Sequence, residues 1–212
     1  MCVIVTLEPG TMPTATELAQ MSDANPDGAG IAWWDGQRLN RYRSPDNHDT
    51  LAYIHAHWTM IEHAPALIHF RLATHGRISE ANTHPFAYRL PDGETGYIAH
   101  NGIARRHTHG PHANDSRNAI EAWQNGDDPL TDGTQGAFAK IDANGRITWL
   151  AGGTELRDGI TVSNLNWQWT GPDPWDTIDQ AWQDGWEEGY QQATDDLETG
   201  RIPDWTPATA RH

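Results

Sequence analysis

A single cysteine occupies position 2 of the chain, directly after the initiator methionine. Removal of Met1, which a small second residue permits, would put a thiol and a free α-amine on the same residue. A thiol titrates at about 8.5 and an α-amine at about 8, so the amine can take the thiol proton near neutrality, directly or through one water. Nucleophile and base would then be one amino acid. The alternative for Cys2 is a small residue that fits a buried strand, the usual place of a free cysteine. Three further stretches carry groups that would complement such a nucleophile. Arg71 lies in His69-Phe70-Arg71-Leu72-Ala73-Thr74-His75-Gly76, which runs on to Asn82-Thr83-His84-Pro85-Phe86. Its planar fork could hold a carboxylate by two parallel hydrogen bonds, or form a structural ion pair in this acid-rich chain. Asn101-Gly102, after His100, supplies a side-chain NH2 and an unhindered backbone N–H, two donors suited to the oxygen that becomes negative when a thiolate attacks an amide carbon. Asn-Gly is also a common hairpin turn pair. Asp115, between Asn114 and Ser116, reads on its own as an acid in the first turn of a helix.

These residues need elements to hold them, and the hydropathy pattern supplies candidates. Cys2-Val3-Ile4-Val5-Thr6-Leu7 is β-branched and apolar up to Pro9-Gly10, as a buried strand with the thiol at its tip would be. Thr14-Ala15-Thr16-Glu17 has capping-box spacing and opens a helix through Leu18 and Met21 that Asn25-Pro26-Asp27-Gly28 closes. A hairpin is expected from Gly30 to Trp34 and Gln37 to Arg43 through Asp35-Gly36. The spacing of Leu51, Ile54, Trp58 and Ile61 predicts one helix over 49–63. Strands are expected over 66–74, 96–100, 137–141, 146–150 and 160–165, and a helix over 114–124 capped by Asn114. From about Gly171 the composition turns acidic and tryptophan-rich, with Trp175, Ile178, Trp182, Trp186, Tyr190, Ala193 and Leu197 at helical spacing. That stripe must be buried, against the chain's own domain or against a partner. The expected organisation is therefore a domain over 1–170 and an acidic Trp-rich amphipathic helix with a tail over 171–212.

Composition bounds the function. At 212 residues there is room for one good-sized domain with an appendage. A net charge of −15 repels phosphate backbones and anionic lipid surfaces, so neither nucleic acid nor membrane is expected as a partner. No apolar run reaches the ~18 residues of a membrane span and no signal-peptide pattern opens the chain, which gives a cytoplasmic expectation. One cysteine excludes an intramolecular disulfide, and Schiff-base chemistry would have to use Lys140, the sole lysine. His100, His107, His109 and His112 invite a metal reading, but their loop spacing is loose and no thiolate cluster accompanies them. His55, His57 and His63 lack the i,i+4 pairing of a strong zinc motif and are expected at the surface. No metal and no cofactor are expected.

In their order and separations, Met1-Cys2, the Arg71 to Phe86 stretch, His100-Asn101-Gly102 and Asn114-Asp115-Ser116 resemble the class II glutamine amidotransferases, members of the N-terminal-nucleophile hydrolase superfamily. The resemblance covers roughly residues 1–165, and the Asn25 to Gly30 turn is similar to the family's glycine-containing turn. It implies an α+β fold, a four-layer αββα sandwich with Cys2 at the end of a central strand. It also implies roles: Cys2 as nucleophile, Asn101 and Gly102 as oxyanion donors, Arg71, Thr74 and His75 at the substrate α-carboxylate, and Asp115 at its α-ammonium. The implied reaction is hydrolysis of the glutamine side-chain amide through a Cys2 thioester, giving glutamate and ammonia. Leu72 departs from the tryptophan that sugar-phosphate-linked members carry after the arginine. The ammonia acceptor is expected to be a separate synthetase or ligase. A stand-alone γ-glutamyl amide hydrolase and a non-catalytic amino-acid-binding protein are the alternatives.

Overall fold

The computed structural model of the chain describes residues 2–73 and 77–168, together with Gly185. The acidic Trp-rich segment expected over 171–212 lies outside the described residues, Gly185 excepted, as do Thr74 and His75. Met1–Gln168 makes up one compact unit.

Its elements run β1 (Val3–Leu7), α1 (Ala15–Ala24), β2 (Ala29–Trp34), β3 (Leu39–Ser44), α2 (Asn47–Ala56), α3 (Trp58–Glu62), β4 (Ala66–Phe70), β5 (Phe86–Arg89), β6 (Thr95–Asn101), α4 (Asp115–Asn125), β7 (Ala137–Asp142), β8 (Ile147–Ala151), β9 (Thr154–Arg157) and β10 (Ile160–Val162). They form two antiparallel sheets, one ordered β3-β2-β4-β1-β10-β9 and the other β5-β6-β7-β8.

Strand periodicity of two explains the layering. On β1, Val3, Val5 and Leu7 pack with Leu18, Met21, Ile54 and Ile61, the inward residues of α1, α2 and α3. Ile4 points the other way and meets Leu67 and Ala32 together with Ala99, Ala139 and Ile141 of the second sheet. Alanines at this junction let the two sheets approach closely. On the far face of the second sheet, Ile98 and Phe138 pack with Ala119 and Ile120 of α4. Helices, sheet, sheet and helix therefore stack as the αββα sandwich that the resemblance implied. The same alternation puts Cys2, one step before Val3, on the inter-sheet side with Ile4.

Local chemistry fixes the ends. Thr14 caps α1, its hydroxyl accepting from the Glu17 N–H while the Glu17 carboxylate accepts from the Thr14 N–H. Arg157 of β9 grips the same carboxylate through two contacts of 2.6 Å and pulls its pKa down to about 2. The helix expected over 49–63 is broken at His57 into α2 and α3, where the His57 ring and its backbone N–H both turn to the Tyr53 carbonyl. The strand expected over 66–74 stops at Phe70, because the ladder to the β2 side slips by one residue just beyond it. The Arg71 N–H donates to Gly28 and the Asp27 N–H donates to the Arg71 carbonyl, at 2.8 and 2.9 Å. Among the described residues, no helix is long and apolar enough to cross a membrane.

Candidate active site

Cys2 stands where β1 enters the inter-sheet layer, and the backbone of Leu72 receives its thiol. The Leu72 N–H donates to Sγ at 3.3 Å and the thiol lies 3.5 Å from the Leu72 carbonyl. Burial pushes the Cys2 thiol above its ordinary range, and the Leu72 N–H works against that push by favouring the thiolate. The Cys2 carbonyl is held by the Asn164 side-chain N–H at 2.9 Å, just past β10.

Four elements bring residues to one cleft of about 40 Å³: Cys2 before β1, Arg71 after β4, Gly102 after β6, and Asp115 at the start of α4. Arg71 is only 5% exposed, and its Nη1 lies 3.5 Å from the Asp27 carbonyl. Asp27 ties the same segment again, its carboxylate accepting from the Ala73 N–H at 2.6 Å. The turn that carries Asp27 needs glycine: Gly28 has φ +109°, and a Cβ there would sit 2.9 Å from the Ser44 carbonyl oxygen.

Asn101 is the last residue of β6, which pairs with Ala137 of β7 at that point. Its Nδ2 donates to the Ser163 hydroxyl at 2.9 Å. Ser163 Oγ in turn accepts from the Ile4 N–H at 2.9 Å, and the Ser163 N–H donates to the Ile4 carbonyl. Gly102 follows with φ +143°, where a Cβ would approach Gly136 Cα to 2.9 Å, so the bend that exposes its N–H is closed to other residues. Asp115 accepts from the Ala104 N–H at 2.8 Å, which fixes the Gly102–Ala104 segment against the first turn of α4.

Three histidines line the back of this region, all buried. His100 Nε2 donates to the Gln135 carbonyl and Nδ1 accepts from the Ser116 hydroxyl, each at 2.8 Å, which sets its tautomer. His69 Nε2 donates to the His100 carbonyl at 3.1 Å, and the His69 and His84 rings lie 4.3 Å apart. Burial lowers all three pKa values, His69 to about 3, so each ring is neutral at physiological pH. His107 and His112 are elsewhere, bonded to Asp128 at 2.8 Å and beside Glu121 at 3.0 Å.

Of the residues singled out in the sequence, Cys2, Arg71, Gly102 and Asp115 thus share one cleft, and Asn101 flanks it. Thr74 and His75 lie outside the described residues. Asp27 and His84 entered the sequence reading only as parts of a turn and a motif, without a role of their own, and Ser163 and Asn164 were read only as part of a strand. A Ser-Asn pair directly after an apolar strand was the available signal for the last two.

A family model described as "Glutamine amidotransferases class-II" matches residues 12–117. No curated protein sequence matches the chain. Among solved structures, the chain is similar to the allosteric regulatory enzyme of purine biosynthesis, with 18% identity and a TM-score of 0.52, over 77% of this chain and 42% of that one. It is also similar to the glutamine phosphoribosylpyrophosphate amidotransferase of B. subtilis in complex with ADP and GMP, with 16% identity and a TM-score of 0.49, over 76% of this chain and 41% of that one. The chain thus spans well under half the length of either structure. The likeness to the allosteric regulatory enzyme speaks for the fold, and the family match, which reaches half of the 212 residues, speaks for descent. The chain belongs to the class II glutamine amidotransferases.

Proposed function

We propose that the chain hydrolyses the side-chain amide of glutamine through a thioester on Cys2, releasing glutamate and ammonia to a separate acceptor enzyme. The reading rests on the convergence of Cys2, Arg71, Gly102 and Asp115 from four elements on one cleft. Removal of Met1 frees the Cys2 α-amine, which takes the thiol proton as Sγ bonds to the amide carbon. Negative charge moves to the amide oxygen, which the Gly102 N–H and the Asn101 NH2 stabilise. An amide nitrogen carries two N–H groups, and Ser163 takes one, leaving the second for the oxyanion. The carbon–nitrogen bond then breaks and the ammonium form of the amine returns its proton to the departing nitrogen. Water attacks the thioester with the amine again as base, and the thiolate leaves and recovers its proton. Arg71 holds the substrate α-carboxylate and Asp115 its α-ammonium.

Ammonia and glutamate release by the purified chain, measured with glutamine and with γ-glutamyl alkylamides, tests this reading. A dedicated ammonia donor cleaves glutamine weakly alone and prefers it to the substituted amides. A large preference for the substituted amide would make the chain a γ-glutamyl hydrolase. Turnover of neither would leave a binding protein.

A further inference from the structure

A second concavity, of about 700 Å³, opens at the edge of the sandwich, where β3 and β5 border the two sheets and α4 lies against β5. Its size falls in the ~300–1,000 Å³ range of small-molecule sites. Four arginines converge there: Arg41 and Arg43 from β3, Arg89 from β5 and Arg117 from α4. In a chain of net charge −15 this is a local inversion of sign.

Carboxylates do not account for it. Arg38, Arg106, Arg146 and Arg157 each reach an acidic side chain, whereas among the described residues no carboxylate lies within 4.0 Å of Arg41, Arg89 or Arg117. Arg41 instead stacks over Tyr97 at 4.7 Å and Arg117 over Phe86 at 5.7 Å, contacts that orient a guanidinium without neutralising it. Arg43 has one acidic neighbour, Glu80, at 3.4 Å on its Nε, and donates through Nη1 to the Thr83 carbonyl. Burial pushes the Arg43 guanidinium below its ordinary pKa and the charge of Arg41 adds to the push, as expected of cations gathered closely enough to repel. The acidic residue in the lining, Glu121, sits 3.0 Å from His112. The floor is preformed: the Arg89 N–H donates to the Gln124 side chain of α4 at 2.8 Å, locking β5 to the helix.

We propose that this groove is a binding site for a small molecule that carries a polyphosphate group, held by Arg41, Arg43, Arg89 and Arg117. Several guanidiniums facing one concavity suit an anion with several charges and many acceptor oxygens, and each fork can bind two of them. A compact anion feels this local field, while an extended phosphate backbone would also meet the acidic remainder of the surface.

Calorimetric titration of the full chain with pyrophosphate, a nucleoside triphosphate, citrate and a short single-stranded oligonucleotide tests the site. Saturable one-to-one binding of pyrophosphate is expected. Similar affinity for the nucleotide would identify the polyphosphate alone as the determinant, and tighter nucleotide binding would identify a nucleotide as the ligand. Arg41 and Arg89 are exposed, so R41Q/R89Q should keep the wild-type Tm and bind roughly tenfold more weakly or worse. Ala87→Glu, which adds a carboxylate at an exposed lining position, should weaken binding in the same direction. The proposal is overturned by absence of saturable binding to both phosphates, by affinity unchanged in both variants, by citrate binding as tightly as pyrophosphate, or by a preference for the oligonucleotide.

Discussion

The Asn101 side-chain amide reaches from the end of β6 in one sheet to the Ser163 hydroxyl at the end of β10 in the other, at 2.9 Å. The same hydroxyl accepts from the Ile4 N–H, so the amide is referenced to β1, the strand that leads from Cys2. Cys2 and Asn101 therefore share one anchor across the inter-sheet layer.

Removing the donor and removing its anchor should separate. Asn101→Ala should lower kcat roughly 10²–10³-fold with KM nearly unchanged, the expected cost of one oxyanion donor. Ser163→Ala keeps the donor but frees its orientation, so kcat should fall less, and Ser163→Thr should restore much of it. Steady-state kinetics on the three variants checks the order. Equal small effects from Asn101→Ala and Ser163→Ala would mean that Asn101 only closes a turn.

Arg71 should act on binding. Its truncation to alanine removes a charge-assisted contact worth about 1.5–3 kcal/mol, so kcat/KM for glutamine should fall roughly 10–100-fold, mainly through KM. Asp115→Asn should weaken binding in the same way. Unchanged KM in both variants would make these residues structural.

Much of this frame was legible in the sequence because it rests on local rules. The apolar run of β1, the Thr14–Glu17 capping box and the Asn114 cap on α4 are short-range signals, and each stands as read. What was illegible depends on distant partners. β5 and β9 are four-residue strands: β5 alternates buried Phe86 and Tyr88 with exposed Ala87 and Arg89 over too short a run to stand out, and in β9 Thr154, Glu155 and Arg157 are exposed, which leaves no apolar alternation to detect. The helix break lies in the His57 backbone, at φ −113° and ψ 14°, which side-chain periodicity does not register. Ser163 and Asp27 gain their importance from contacts with Asn101 and Ala73, 62 and 46 residues away.

The buried histidines make stability fall with acid. His69, His84 and His100 have pKa values lowered by burial, so the unfolded chain binds more protons than the folded one below the ordinary histidine pKa of about 6.5. Their contribution is fully present above about pH 6.5 and declines as pH falls toward the folded values, which for His69 is about 3. The unfolding free energy from denaturant titrations should therefore drop between pH 7.5 and pH 5.5, a window in which most carboxylates stay ionised in both states, by up to ~1.4 kcal/mol per pH unit for each histidine. His69→Gln should flatten the slope. A flat profile over that window would contradict neutral burial.

Gly28→Ala should destabilise the fold by roughly 1–3 kcal/mol, since the position combines positive φ with a Cβ only 2.9 Å from the Ser44 carbonyl oxygen. Because the Gly28 carbonyl accepts from the Arg71 N–H, the variant should also raise KM for glutamine. Thermal melts and kinetics on one preparation check both, and a stable variant with normal KM would contradict the brace.

Intact-mass analysis before and after a glutamine-analogue diazoketone tests Cys2 as an amine-activated nucleophile most directly. The chain should begin at Cys2 and gain one label there, blocked by excess glutamine and absent in Cys2→Ala, since labelling needs both an activated thiol and a glutamine-shaped pocket. Protein that retains Met1 quantitatively, or that stays unlabelled while a general thiol reagent modifies Cys2, would contradict catalysis by this residue.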